Sequence, residues 1–320
     1  MRQGQHYGKR EMKTNTNRVA FLLLAIAIGT CSFQSANAQE ALKWKLKTGD
    51  EFAVTLTQTS DTTTSADSRV TEMKTKTTLV FDWKVTGVAA NGDATIQQSL
   101  ASIKLRVGNP AMLDQTIGYD TDSDEKVSRV SRPMLKQARS LIGLKYEVLM
   151  SDRGEIKGVV LPKETEVVIQ KLPETTTLRT LFSEKGLKDI LGASAIVLPE
   201  GELKPEESWS DQSVKISPLG KFNRVNKYTF AGMKSVDGRE VAVFVLDASM
   251  EKVEDGETEK SEAAGKVIKF SGSGKLMLDV EAGYFTTCNT ENEIQVEKPY
   301  REKVITSVVK NNIELTVEKK

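Results

Sequence analysis

Alternation with a period of two governs most of the chain. Phe52, Val54 and Leu56 alternate with Thr55 and Thr57; Leu79, Phe81, Trp83 and Val85 repeat the pattern; Ile313, Leu315 and Val317 carry it almost to the last residue. Runs of this kind, rich in Val, Ile, Thr and aromatic residues, predict antiparallel strands with one face on a core and the other in water. Asn91-Gly92 and Asp237-Gly238 predict tight hairpins, because both central residues of a type I′ turn take positive φ. Between Leu100 and Ile103 the apolar phase slips by one position, which predicts a bulge near Ala101 or Ser102.

Helical periodicity is confined to two stretches. Pro133 stands where a first helical residue would, and Met134, Leu135, Ala138, Leu141 and Ile142 form a stripe that ends at Gly143. From Lys163 to Ala195, Leu178, Leu181, Phe182, Leu187, Ile190 and Leu191 recur at helical spacing. Pro173 divides that stretch in two, because proline inside a helix breaks or kinks it. A sheet with one apolar face must cover it, and these helices are the cover the sequence offers. Leu135, Leu141, Leu181, Phe182, Ile190 and Leu191 are therefore the candidate lining of an apolar pocket beneath them. A filled core with no pocket is the competing outcome.

The two halves of the chain echo one another. Phe81 to Asp93 resembles Tyr228 to Arg239, Lys47 to Phe52 resembles Lys204 to Trp209, and Leu144 to Gly154 resembles Gly274 to Gly283, in the same order. On this reading the first half carries two insertions, the polar stretch Gln58 to Glu72 and the segment that holds an acidic run and the first helix. Any all-β chain produces strand–turn–strand matches by chance, so duplication and coincidence both stay open. The expected divisions are residues 39–162, a helical connection over 163–197, and residues 198–320, with the proline-bearing, charged stretch Leu198 to Glu207 as the joint. The expected fold class is α+β and mainly antiparallel β: a curved sheet or half-barrel, with a few covering helices.

Residues 1–38 follow a different logic. Basic residues (Arg2, Lys9, Arg10, Lys13 and Arg18) precede an uninterrupted apolar run from Val19 to Gly29, and Ala36-Asn37-Ala38 follows. That order is a secretory signal cut after Ala38. The run is too short for a membrane-spanning helix, which needs about 20 residues. Starting at Met12 gives a leader of ordinary length. Ile28-Gly29-Thr30-Cys31 offers an alternative, acylation at Cys31, with Thr30 a poor fit where a smaller residue is usual. The expected location is exported, periplasmic or extracellular, or anchored as a lipoprotein at Cys31, with no integral membrane segment after cleavage.

Charge is balanced, 45 Lys and Arg against 44 Asp and Glu, which disfavours a nucleic-acid partner. The decisive residues are the rare ones. The only histidine is His6 and the only cysteines are Cys31 and Cys288, so cleavage leaves no imidazole and one thiol. Ser-His-Asp and Cys-His catalysis lose their proton shuttle, and a zinc site loses its usual ligands. Cys288, in a predicted strand, reads as a buried inert thiol, with intermolecular pairing the alternative. Ser249-x-x-Lys252 and Ser307-x-x-Lys310 share a face only on a helix, and both lie in strand-like sequence. Asp120, Asp122 and Asp124 alternate as in a calcium loop, yet Glu125 replaces its glycine and Ser131 its bidentate glutamate. A solvated acidic loop is expected there, and a weak calcium site of another kind is the alternative. Ser271-Gly-Ser-Gly-Lys275 has Lys269 where a P-loop needs glycine, and reads as a turn. Glu251 to Glu262 reads as a solvated hairpin or mobile loop. No cofactor is expected, and the sequence selects no pair of carboxylates for hydrolysis.

Leu46-Lys-Thr-Gly-Asp-Glu-Phe52, the Asn-Gly hairpin and Tyr146-x-Val-x-x-Ser-Asp-Arg-Gly-Glu-Ile156 together resemble a family of uncharacterised bacterial secreted or lipoprotein envelope proteins. The layout is also similar to lipoprotein carriers of the LolA and LppX type. That resemblance implies a curved antiparallel sheet forming an incomplete barrel around an apolar cavity lidded by helices. The leading functional expectation is a non-enzymatic envelope protein, a binding or scaffold module whose partner is an apolar small molecule or another envelope protein. Two alternatives stand beside it: a carrier of a lipid or lipoprotein acyl chain, and a carboxylate-dependent hydrolase.

Overall fold

The computed structural model describes residues 41–109, 116–174, 176–194, 196–217, 220–253, 265–300 and 303–320. Twelve strands form one antiparallel sheet: β1 (Glu51–Ala66), β2 (Arg69–Val88), β3 (Ala94–Gly108), β4 (Ile117–Asp120), β5 (Lys145–Met150), β6 (Ile156–Val160), β7 (Ser208–Ser217), β8 (Gly220–Val236), β9 (Arg239–Lys252), β10 (Lys266–Asp279), β11 (Tyr284–Tyr300) and β12 (Lys303–Lys319). The order across the sheet is β6-β5-β3-β2-β1-β12-β11-β10-β9-β8-β7, with β4 on β3. The sheet is curved and does not close. First and last strands meet at its middle, in register from Phe52↔Lys319 to Ala66↔Ile305. Four helices complete the described chain: α1 (Ser131–Arg139), α2 (Lys163–Gln170), α3 (Thr177–Leu181) and α4 (Glu184–Ser194).

One face carries both cores. A single rung of partners runs Phe230, Phe244, Leu276, Cys288, Leu315, Leu56, Leu79 and Ile103 from β8 to β3, so these side chains share a face. The first core gathers Phe52, Val54, Phe81 and Leu100 with Leu135, Leu141 and Leu187 from the helical segments. The second gathers Phe230, Phe244, Leu276 and Phe285, with ring centroids 5.5 Å apart for Phe230–Phe244 and 5.8 Å for Phe244–Phe285. Its cover differs from the expectation. No described helix lies over it; Leu42, Ile196, Leu198 and Leu203, from irregular chain, do. Two leucines of the joint from Leu198 to Glu207, Leu198 and Leu203, are core residues.

The two halves share a turn bond for bond. Lys47 N–H donates to Asp50 Oδ2 (2.9 Å), Asp50 N–H donates to Lys47 O, and Gly49 and Asp50 exchange hydrogen bonds with Val85. In the second half, Lys204 N–H donates to Glu207 Oε2 (2.9 Å), Glu207 N–H donates to Lys204 O, and Glu206 and Glu207 bond Phe230 in the same way. The third residue has positive φ in both, +94° at Gly49 and +69° at Glu206. Each partner strand then bulges one residue later, at Thr86 and at Ala231.

Local expectations met mixed outcomes. Ala101 is the unpaired residue between Val80↔Ser102 and Phe81↔Leu100, the bulge the phase slip implies. The polar stretch Gln58 to Glu72 forms the outer half of β1 and β2, turned at Asp67, where φ is +53°; the corresponding hairpin of the second half, β7 and β8, is shorter. Threonines make this possible, since β-branched residues suit a pleated surface and pair across strands, as Thr57 does with Thr78. Ser271 to Lys275 is likewise no turn but the interior of β10. Gly274 is needed there because a Cβ would lie 2.8 Å from Thr290 Cγ2 and 2.9 Å from Asn289 O. The first helix starts two residues before Pro133, where Ser128 Oγ and O accept the Ser131 N–H. The second helical region is three pieces, because Ser183 Oγ caps Gly186 N–H and restarts the chain as α4. Ser249 and Lys252 lie on one strand, as do Ser307 and Lys310, at a separation that sets each pair on opposite faces. Asp120 pairs with Lys104 and accepts Asp122 N–H, which ties the acidic run into β4 and its turn. Most of the Glu251 to Glu262 run lies outside the described residues, as do residues 1–40.

Candidate functional site

Above the Leu56–Leu79–Ile103 rung the helices part from the sheet and enclose a cavity of about 440 Å³. Its floor is Leu56, Leu79, Ile103 and Leu105; its roof is Met134 of α1, Leu178 and Leu181 of α3 and Ile190 of α4; Tyr119 of β4 closes one wall. The floor exists because inward positions on β1 and β2 are apolar up to Leu56 and Leu79 and neutral polar after them: Gln58 and Ser60, Thr77 and Thr75. The cavity thus has an apolar end and a polar end. At the polar end Thr176 Oγ1 donates to Gln137 Oε1 (3.4 Å) on the lid. On the sheet, Ser60 Oγ donates to Asn311 Oδ1 (2.5 Å), and Asn311 Nδ2 donates to Asn292 Oδ1 (2.8 Å).

No Asp, Glu, Lys or Arg is among the lining residues. Burial pushes the Tyr119 phenol above its ordinary value, so it stays a neutral hydroxyl. The lining has the make-up of a small-molecule pocket, mostly apolar with a few hydrogen-bonding groups and a volume inside the usual range of about 300–1,000 Å³. It offers no nucleophile with an adjacent base. What this arrangement can do is hold an uncharged, largely apolar molecule.

The lid is held from several sides. Thr165 Oγ1 of α2 donates to Lys145 O of β5 (2.7 Å), and Arg179 Nη1 of α3 donates to Leu172 O (3.2 Å). Gly186 lets α4 turn against α3: a Cβ there would stand 2.0 Å from Thr180 O and 2.5 Å from Leu181 O.

Of the residues named from sequence, Leu181 and Ile190 line the cavity. Leu135, Leu141 and Phe182 do not; they are buried in the first core, and Leu191 packs against that core half-buried. The helical stripes were read as one lid, but a stripe residue that points at the sheet fills the core instead of facing the gap. Sequence reasoning missed Leu178, Met134 and the whole strand floor. The signal for the floor was present: alternate positions on two adjoining strands change from apolar to neutral polar, not to charged.

Two other concavities are more polar. A more open groove of about 370 Å³ lies between Asp61, Ser271, Ser273, Glu291, Glu293 and Lys310, whose charges include the pairs Lys310–Glu293 (3.6 Å) and Lys269–Glu293 (3.0 Å) at its rim. Another, of about 270 Å³, lies by β3 and β4 near Arg106, Asp120 and Lys126. Among the described residues no group of three or more His, Cys, Asp or Glu could hold a metal ion, and no helix is long and apolar enough to cross a membrane.

The family of unknown function DUF6263 matches residues 91–285. No curated protein matches the sequence. Among solved structures, lipovitellin is 10% identical with a TM-score of 0.46; the match covers 85% of this chain and 25% of lipovitellin, so this chain spans a quarter of that one. The COG4313 outer membrane channel from Pseudomonas putida F1 is 9% identical, TM-score 0.22, over 86% of this chain and 97% of the channel. A DUF1329 family protein from Desulfovibrio piger is 8% identical, TM-score 0.14, over 82% of this chain and 85% of its own.

Proposed function

The chain belongs to DUF6263, a family of unknown function, and since that membership brings no activity with it we propose, from the cavity itself, that the protein is a non-enzymatic binder of an apolar molecule. The observation that carries this is a pocket of about 440 Å³ whose floor and roof are leucine, isoleucine and methionine and whose lining holds no charge. An apolar guest gains about 25 cal/mol for each Å² of its surface taken out of water, and nothing in the lining has to be desolvated as an ion. The reading includes export through residues 1–38, which places the binder in the cell envelope or outside the cell.

Native mass spectrometry of protein purified by gentle extraction tests the binding. An apolar molecule should co-purify at up to one per chain. Replacing Leu105→Trp should fill the floor and weaken uptake of an apolar fluorescent dye by at least about tenfold with circular dichroism unchanged. Dye binding equal to that of the unaltered chain would sink the proposal. Export is checked on protein recovered from cells: the mature chain should begin at Gln39, and an acylated Cys31 at the terminus would show the lipoprotein route instead.

A further inference from the structure

The face that carries the cavity continues past its mouth, and over the next four rungs five adjacent strands present no charged side chain on it. Its positions are every second residue from Gln58 to Thr64 on β1, Thr71 to Thr77 on β2, Ser307 to Ile313 on β12, Thr290 to Val296 on β11, and Phe270 to Gly274 on β10; at the next rung charge returns to this face, with Arg69 beside Ala66 and Lys298 beside Ile305. The charges of the same spans, Asp61, Lys74, Lys76, Lys269, Glu293 and Lys310 among them, stand on the opposite face. In a chain with 28% charged residues, a sheet wetted equally on both sides would carry ions on both. This one does not.

The composition along the strands is ordered as well. The apolar floor comes first. Two rungs further out is the neutral, hydrogen-bonded row Ser60–Asn311–Asn292, and the next rung, roughly 7 Å beyond, is Met73, Thr62, Val309, Ile294 and Phe270. Met73 is 46% exposed there. The series is therefore apolar, polar without charge, apolar.

We propose that cavity and outer face together bind a neutral diacyl amphiphile: one chain on the cavity floor, the ester-bearing waist on Ser60, Asn311 and Asn292, and the second chain along Val309, Ile294 and Phe270. This rests on the cavity reading above and adds to it the charge of the head and the place of the second chain. Asparagine amides and a serine hydroxyl give donors and acceptors in one row, which suits ester carbonyls and a glycerol hydroxyl. A phosphate head on the same row would meet no counter-charge in the rungs beside it; the cations of that face, Arg69 and Lys298, stand three rungs further out.

Displacement of a bound apolar dye by soluble short-chain probes tests it on the full mature chain: 1,2-dioctanoylglycerol, 1-octanoylglycerol and dioctanoyl phosphatidic acid. Dioctanoylglycerol should displace at least about tenfold better than either of the others. Ile294→Lys should abolish its advantage over 1-octanoylglycerol and leave the latter within about twofold. Val309→Lys should do the same, and circular dichroism of both variants guards against misfolding. If both glycerides bind the unaltered chain equally, or Ile294→Lys weakens both alike, the outer-face assignment is overturned and the cavity reading stands. If neither binds and the dye is not held, the cavity reading fails with it. Equal displacement by phosphatidic acid overturns the neutral head. A dimer of the unaltered chain that Ile294→Lys dissociates, with glyceride affinities unmoved, assigns the face to a second copy and also overturns the proposal.

Discussion

Tyr146, Gln98 and Trp83 are neighbours in one rung across β5, β3 and β2, and the Tyr146 hydroxyl, both polar atoms of the Gln98 amide and Trp83 Nε1 are buried without a hydrogen-bond partner among the described residues. A buried hydroxyl left unpaired costs about 1–3 kcal/mol, and removing it relieves that cost. Tyr146→Phe is therefore expected to keep or raise stability in urea unfolding, whereas Tyr146→Ala, which leaves a hole, should lose about 3–5 kcal/mol. A loss above about 1 kcal/mol in Tyr146→Phe would mean that the hydroxyl has a partner after all. Cys288 is the other buried group of note. Burial pushes its thiol up to about 11, so almost none is thiolate near neutral pH. The native protein should resist iodoacetamide at neutral pH and be modified at one site once unfolded; fast native labelling would contradict the packing around β11.

At the scale of elements, the joint of β1 with β12 is closed at its end by ions. Lys319 Nζ meets Asp50 at 2.6 Å, Lys320 Nζ meets Asp82 at 2.6 Å, and Lys84 Nζ meets Glu51 at 2.8 Å. Burial alone would raise the Asp50 carboxyl, but its bonds to Lys319 and to the Lys47 N–H outweigh that and hold it below its ordinary value. A carboxyl lowered in the folded state adds stability above its unfolded value of about 4, and that stability is lost as pH falls through the folded value. Lys319→Met should accordingly cost at most about 1 kcal/mol near neutral pH, and the cost should shrink as pH falls below the ordinary carboxylate value of about 4. A cost that persists undiminished in acid would show that the lysine acts through its stem over Phe52, whose ring lies 6.0 Å from Nζ.

The same scale shows what could be read in advance. The hairpin at Asp237-Gly238 and the bulge at Ala101 were legible because each follows from the φ or the parity of a few consecutive residues; at Asn91-Gly92 the chain does reverse, but only Gly92 takes positive φ, in a wider loop closed by Ala89 N–H to Asp93 O. The outer half of the β1–β2 hairpin was not legible, since serine and threonine fill most of its inward positions in place of the apolar residues that mark a strand. Ser271 to Lys275 misled because its glycines serve contacts with Thr290 and Ala248, which are distant in sequence. Half of the cavity was hidden for a related reason. Helical spacing names an apolar stripe without saying which of its members reach the sheet, so Phe182 was indistinguishable from Leu181.

For the whole molecule the question is whether two cores make two folding units. Chains much longer than about 150 residues commonly unfold in more than one step. Here the halves are stitched at three levels. β1 and β12 pair along their full length. Trp44 and Leu315 pack against both cores. The segment carrying Trp44 also bonds equivalent turns of the two halves, Trp44 N–H to Asp152 O and Lys45 N–H to Gly283 O, each at 2.7 Å. Neither core can open without breaking the central pairing of the other. Calorimetry should then show one transition whose calorimetric and van't Hoff enthalpies agree, and Trp44→Ala, which removes the indole shared by both cores but leaves the β1–β12 ladder and the backbone bonds, should broaden it toward two. Two resolved transitions in the unaltered chain would mean that the central ladder does not couple the cores. An unbroadened single transition in Trp44→Ala would mean that the shared indole is not what couples the cores.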